Sequence, residues 1–87
     1  MQEIIIYSKS YCPFCKRAIA LLDIKGTDFK VIDVTDNREL ELEMQQRSKQ
    51  TTVPQIFVGS RLIGGCDDLF ALDEQGELDP LLTQLRV

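Results

Sequence analysis

Two cysteines three positions apart, in the run Cys12-Pro13-Phe14-Cys15, are the residues of this chain best suited to covalent chemistry. They fall where a short apolar run ends and a helical stretch begins. A helix N-terminus carries unpaired N–H groups and a partial positive charge, and both favour a thiolate over a thiol. Cys12, the outer of the pair, is placed to accept hydrogen bonds at sulfur from the N–H groups of Phe14 and Cys15. Lys9 and Lys16 add positive charge nearby. Cys15, one turn further in, is expected to be more buried and less acidic. Joined to each other, the two would close a small loop, which makes a reducible and catalytic disulfide rather than a structural one. A closed zinc site needs four ligands, and only Cys66 and distant carboxylates remain to supply them. The spacing therefore points to redox chemistry.

The rest of the composition narrows the field. The chain has 87 residues, 44% of them hydrophobic and 28% charged, which suits one globular domain over 1–87 with a single core. Ten Lys and Arg against fourteen Asp and Glu give a net charge of −4, which argues against nucleic acid as a partner. There is no His, which removes Ser-His and Cys-His nucleophile pairs, Cys2His2 zinc sites and the haem-attachment motif Cys-x-x-Cys-His. No stretch approaches the roughly twenty apolar residues of a membrane span. The first residues, Met1-Gln2-Glu3, carry neither a basic start nor a small-residue cleavage site, so a cytoplasmic location is expected. Three cysteines are an odd and small set for a secreted disulfide scaffold, in keeping with that expectation.

The elements that must position the cysteines follow from pattern. Glu3 to Ser8, with Ile4, Ile5, Ile6 and Tyr7, reads as a strand buried on both faces. A helix follows the cysteine motif to about Lys25, with Pro13 in its first turn and Gly26 stopping it. Phe29 to Val34 is a second strand. Asp36 with Glu39 resembles a capping box for a helix to about Ser48, in which Leu40 and Met44 mark the buried stripe. Gln55 to Val58 and Arg61 to Ile63 are short strands around Gly59-Ser60, a hairpin signal. Asp67 or Asp68 can cap a helix through Leu72, ended near Gly76. Asp79-Pro80 is a second cap with Pro following, and Leu81, Leu82 and Leu85 form one side of that last helix. The order β-α-β-α-β-β-α-α predicts an α/β fold. Its four-stranded mixed sheet is flanked by helices, with the first two strands parallel and the last two antiparallel.

Two further segments admit local readings. Val53-Pro54 can be an ordinary strand entry. Gly65-Cys66-Asp67-Asp68 can be a glycine turn followed by an acidic cap, and the free N–H groups there also suit an anion.

Cys-Pro-Phe-Cys after the first strand, Thr52-Val53-Pro54 before the third and Gly64-Gly65-Cys66-Asp67-Asp68 after the fourth together resemble a dithiol glutaredoxin, of the short bacterial type. The likeness extends over essentially the whole chain. It implies a thioredoxin-like fold and glutathione-dependent reduction of protein disulfides and glutathione mixed disulfides. It also implies Cys12 as nucleophile, Cys15 as resolving thiol and a cis peptide bond before Pro54. Glutathione, the co-substrate, would pair with the Val53 backbone in the manner of an added strand and rest against Phe14, Thr52 and Pro54. Beside Gly65, its γ-glutamyl carboxylate would meet the N–H groups at Cys66 and Asp67, and its ammonium the Asp67 or Asp68 carboxylate. Lys9, helped by Arg47, would take the glycine carboxylate. Phe14 stands where Tyr is frequent in the family, which keeps the apolar contact and loses a hydroxyl. No metal or organic cofactor is implied, the protein would be a monomer, and ribonucleotide reductase is a candidate target. Two alternatives stay open: a thioredoxin-like donor reduced by a flavoenzyme, and an iron–sulfur carrier made by two chains and two glutathiones.

Overall fold

The β-branched and aromatic run at the start of the chain forms the centre of a sheet. In the computed structural model, which describes residues 3–84, β1 (Ile4–Ser8) has a neighbour on each side. It runs parallel to β2 (Lys30–Asp33), with Ile6 opposite Val31, and antiparallel to β3 (Gln55–Val58), with Ile6 opposite Ile56. β4 (Arg61–Gly64) closes a hairpin onto β3, so the spatial order is β2-β1-β3-β4. A parallel neighbour requires a long crossover, supplied by α1 (Pro13–Ile24). Gly26, at φ 68, ends that helix in the left-handed conformation glycine tolerates.

Alternation along the strands sends side chains to opposite faces. Ile4, Ile6, Ile56 and Val58 pack with Leu22 of α1 and with Leu69 of α3 (Cys66–Glu74). Leu78 and Leu82 of α4 (Leu78–Gln84) join the same cluster. On the other face Tyr7, Val34 and Phe57 meet Met44 of α2 (Arg38–Ser48). Tyr7 and Phe57 lie edge to face with ring centroids 5.9 Å apart. The sheet is thus covered by three helices on one side and one on the other. No helix among the described residues is long and apolar enough to cross a membrane.

Element order, sheet composition and strand directions are as the sequence predicts; several caps are not. Asn37, not Asp36, caps α2, its Oδ1 accepting from the Leu40 N–H at 3.1 Å. Either short Asx side chain can cap, and Asn37, with its backbone extended at φ −130, is the one that does. α3 begins at Cys66 with Gly65 as its cap residue, so Asp67 and Asp68 lie inside the first turn. From there Asp68 reaches back and accepts from the Gly65 N–H at 3.0 Å. α4 starts at Leu78, which puts Asp79 and Pro80 within its first turn instead of before it. Asp79 and Asp73 both pair with Lys25, at 2.9 and 2.6 Å, tying the end of α1 to α3 and α4. Leu85 lies outside the described residues.

Candidate active site

β1 delivers the chain to the cysteine motif through a tight turn in which the Cys12 N–H donates to the Lys9 carbonyl at 3.1 Å. Cys12 is itself the N-cap of α1. Its backbone is extended, and its sulfur accepts from the Cys15 N–H at 3.3 Å. The second bond expected at that sulfur, from the Phe14 N–H, is not made among the described residues. Pro13 occupies the first helical position, where an N–H would be unsatisfied anyway. Cys12 is 8% exposed and Cys15 1%, while Tyr11 and Phe14 stand out on either side at 68% and 52%. The three cysteines are all free thiols. Burial, and then the hydrogen bond with Cys12, pushes the Cys15 thiol up to about 12, so at neutral pH it is protonated.

The Val53-Pro54 bond is cis, and the loop it closes lies against Cys12, whose thiol approaches the Val53 carbonyl at 3.8 Å. The Val53 N–H donates to no described residue. Beside the motif is a groove of about 310 Å³. One wall is Gln50, Thr52, Val53 and Pro54, another is Gly65, Cys66, Asp67 and Asp68, and Phe14 adds an apolar edge. The first N–H groups of α3, at Cys66 and Asp67, have no intrahelical acceptor and belong to the groove wall. Gly64 is at φ +117, and a Cβ there would collide with the Asp68 carboxylate, so the turn into α3 requires glycine. The Cys66 side chain points into the core, 4% exposed, and burial raises its thiol.

Eight of the residues singled out from sequence therefore meet in one groove: Phe14, Thr52, Val53, Pro54, Gly65, Cys66, Asp67 and Asp68. Lys9 and Arg47 do not line it. The Lys9 ammonium pairs with Glu41 Oε2 at 2.9 Å, and this carboxylate raises the lysine's affinity for its proton. The Arg47 guanidinium donates to the Tyr7 hydroxyl at 2.7 Å and lies over the Phe57 ring, 4.3 Å from its centroid. Tyr7 in turn donates to Glu43 Oε2 at 2.9 Å. A larger hollow of about 370 Å³, bounded by Arg61, Leu72, Glu77 and Leu81, holds no thiol and no nucleophile.

Sequence reasoning missed Gln50 and, behind it, Gln55. Gln55 is fully buried, and its Nε2 donates to the Thr52 carbonyl at 2.9 Å, with Thr52 Oγ1 at 3.3 Å and Gln50 Oε1 at 3.4 Å. The carbonyl can only accept, which fixes the amide orientation and leaves Gln55 Oε1 unpartnered. Gln55 thus braces the groove wall from inside. The replacement Gln55→Glu should cost about 2 kcal/mol or more at pH 7, because an ionised carboxylate would face the Thr52 carbonyl with only the Thr52 hydroxyl in reach to donate to it. A protonated carboxyl can still donate there, so the introduced group is held above its ordinary value of about 4.3 and the penalty grows as pH rises past it. Thermal unfolding of variant and wild type at about pH 4 and about pH 7 checks this; a penalty independent of pH contradicts it.

A glutaredoxin family model matches residues 4–63. Glutaredoxin 3 of Escherichia coli is 52% identical over 82 residues, which cover 94% of this chain and 99% of that protein. The solution structure of a glutaredoxin from Brucella melitensis superposes with a TM-score of 0.82 at 54% identity, covering 94% of this chain and 89% of the other. The crystal structure of a buckwheat glutaredoxin–glutathione complex superposes with a TM-score of 0.87 at 31% identity, covering 95% of this chain and 78% of the other.

Proposed function

The chain belongs to the glutaredoxin family and is a glutathione-dependent thiol–disulfide oxidoreductase with a thioredoxin-like fold, and from that premise we propose that Cys12 is its nucleophile and Cys15 its resolving thiol. The observation that carries this assignment is the position of Cys12. It caps α1 with its sulfur on the Cys15 N–H, and it opens beside the groove between the Val53 loop and the start of α3. Glutathione enters as a substrate, and no prosthetic group is involved.

On a glutathione mixed disulfide, the Cys12 thiolate attacks the glutathione sulfur. The Cys12–glutathione disulfide forms, the old S–S bond breaks, and the target leaves as a thiolate that takes a proton from solvent. A second glutathione thiolate then attacks the glutathione sulfur on Cys12, giving glutathione disulfide and regenerating Cys12. On a protein disulfide, Cys12 bonds one target sulfur and releases the other. Cys15 then loses its proton as it attacks Cys12, so the two electrons of the dithiol pass to the target and Cys12–Cys15 becomes the disulfide. Two glutathiones reduce that bond. Holding Cys15 protonated until this step keeps it from competing for the substrate.

In the groove, the Val53 N–H and C=O pair with the extended glutathione backbone, and Phe14, Thr52 and Pro54 give it surface. The N–H groups at Cys66 and Asp67 take the γ-glutamyl carboxylate, and Asp67 or Asp68 takes the ammonium. Lys9 takes the glycine carboxylate by exchanging partners with Glu41. Arg47, held on Tyr7 and Phe57, supports α2 and stays outside this contact set. We further read residues 1–87 as one domain acting as a monomer in the cytoplasm, with ribonucleotide reductase a candidate target; small cysteine usage and the dithiol motif support the reducing compartment.

The direct test is glutathione-coupled reduction of the cysteine–glutathione mixed disulfide. Turnover should require glutathione and should not be sustained by a flavoenzyme reductase in its place. Cys66→Ser should change turnover by no more than about twofold, because the site uses the Cys66 main-chain N–H and not its thiol. A larger loss in a folded variant would bring the thiol itself into the chemistry.

A further inference from the structure

Lys9 precedes the motif by three residues, and its main chain accepts the Cys12 N–H, so the lysine side chain leaves from the turn that carries the reacting sulfur. Yet its ammonium is already occupied. Glu41, in the first turn of α2, holds it at 2.9 Å with Oε2 and holds Arg38 Nη1 at 3.1 Å with Oε1. Both side chains of the Lys9–Glu41 pair are mostly covered, at 22% and 19% exposure, which makes the pair less screened than a fully open one. Any carboxylate arriving at Lys9 must displace one already there, and meets its negative charge on approach.

We propose that Glu41 is a positioning residue that sets the affinity of this site for the glycine end of glutathione, by holding Lys9 in an internal ion pair that the incoming carboxylate must replace. The proposal deepens the reading of Lys9 given above and rests on it. It makes Glu41 an attenuator. The affinity for glutathione conjugates is lower than the groove alone would give, and ligands lacking a carboxylate at that end are discriminated against less. The contact is made equally in the ground and transition states of sulfur transfer, so its effect falls on KM and not on kcat.

The test is a double-mutant cycle read in steady-state kinetics with the cysteine–glutathione mixed disulfide. Glu41→Gln should lower KM by about three- to tenfold at low salt, leave kcat within about twofold, and show a smaller gain as ionic strength rises. Glu41→Asp, which keeps the charge but draws it back from the ammonium by a methylene, should lower KM less than Glu41→Gln does. Lys9→Met should raise KM, and adding Glu41→Gln to Lys9→Met should recover little or none of it. If Lys9→Met leaves KM unchanged, the assignment of Lys9 fails and takes the proposal with it. If Lys9→Met raises KM but Glu41→Gln does not lower it, the assignment of Lys9 stands and the proposal for Glu41 is overturned. An equal gain from Glu41→Gln with and without Lys9 also overturns it, since the carboxylate would then act by general repulsion.

Discussion

Cys12→Ser should reduce every thiol-exchange activity to below about one percent of wild type while leaving the fold intact. Serine is as good a helix N-cap as exists, so its Oγ can keep the Cys15 N–H that the sulfur accepts, and α1 retains its start. Chemistry has no such substitute. A serine hydroxyl is not ionised near neutral pH, and with no His anywhere in the chain there is no imidazole to take its proton. Far-UV circular dichroism and the melting temperature check the first half, and the glutathione-coupled assay the second. A folded variant with a tenth of the wild-type rate would contradict the assignment of Cys12.

Cys15→Ser should divide the two activities. The route through a glutathione mixed disulfide uses only Cys12, so this activity should persist or increase, because the internal disulfide that diverts Cys12 can no longer form. Reduction of protein disulfides should be lost, and the covalent complex between Cys12 and its target should accumulate as a band that disappears on adding a reductant. The site is 1% exposed, so the hydroxyl should cost about 1 kcal/mol of stability, and assays belong well below the melting temperature. The same contrast is visible in the wild type by alkylation. Cys12 should be the thiol of the pair that reacts, whereas Cys15, pushed up to about 12, should remain unmodified through pH 9. A Cys15→Ser protein that is folded, reactive at Cys12 and inactive on both substrates would mean that every turnover passes through the Cys12–Cys15 bond.

What could be read before the structure was whatever depends on local pattern. The run Ile4–Tyr7 is too short and too β-branched for a helix, and it is the central strand. Cys12-Pro13 announces a helix start by chemistry that operates within four residues. The misplaced caps are failures of a different kind. Asp36 and Asn37 are chemically equivalent candidates, and Asp68 resembles a cap because it does reach the Gly65 N–H, though from inside the helix. The illegible part was mostly long-range. Nothing near Lys9 in sequence identifies Glu41, 32 positions on, as its partner; the packing of α2 on the sheet brings them together. Arg47, expected to help Lys9 with the glycine carboxylate, is stacked on Phe57. Gln55, read only as the first residue of a strand, was missed for a local reason: the amide is buried and bonds back to Thr52, three residues before it, across the cis Val53-Pro54 turn.

The central claim, that Cys12 accepts glutathione sulfur directly, is tested most directly by trapping. The Cys15→Ser protein, whose remaining cysteines are Cys12 and Cys66, is treated with glutathione disulfide, quenched in acid and examined by intact mass and peptide mapping. The expected result is one glutathionyl adduct per chain, on Cys12, removed by excess glutathione with release of glutathione disulfide. An adduct on Cys66 instead, or none on a folded chain, would contradict the account.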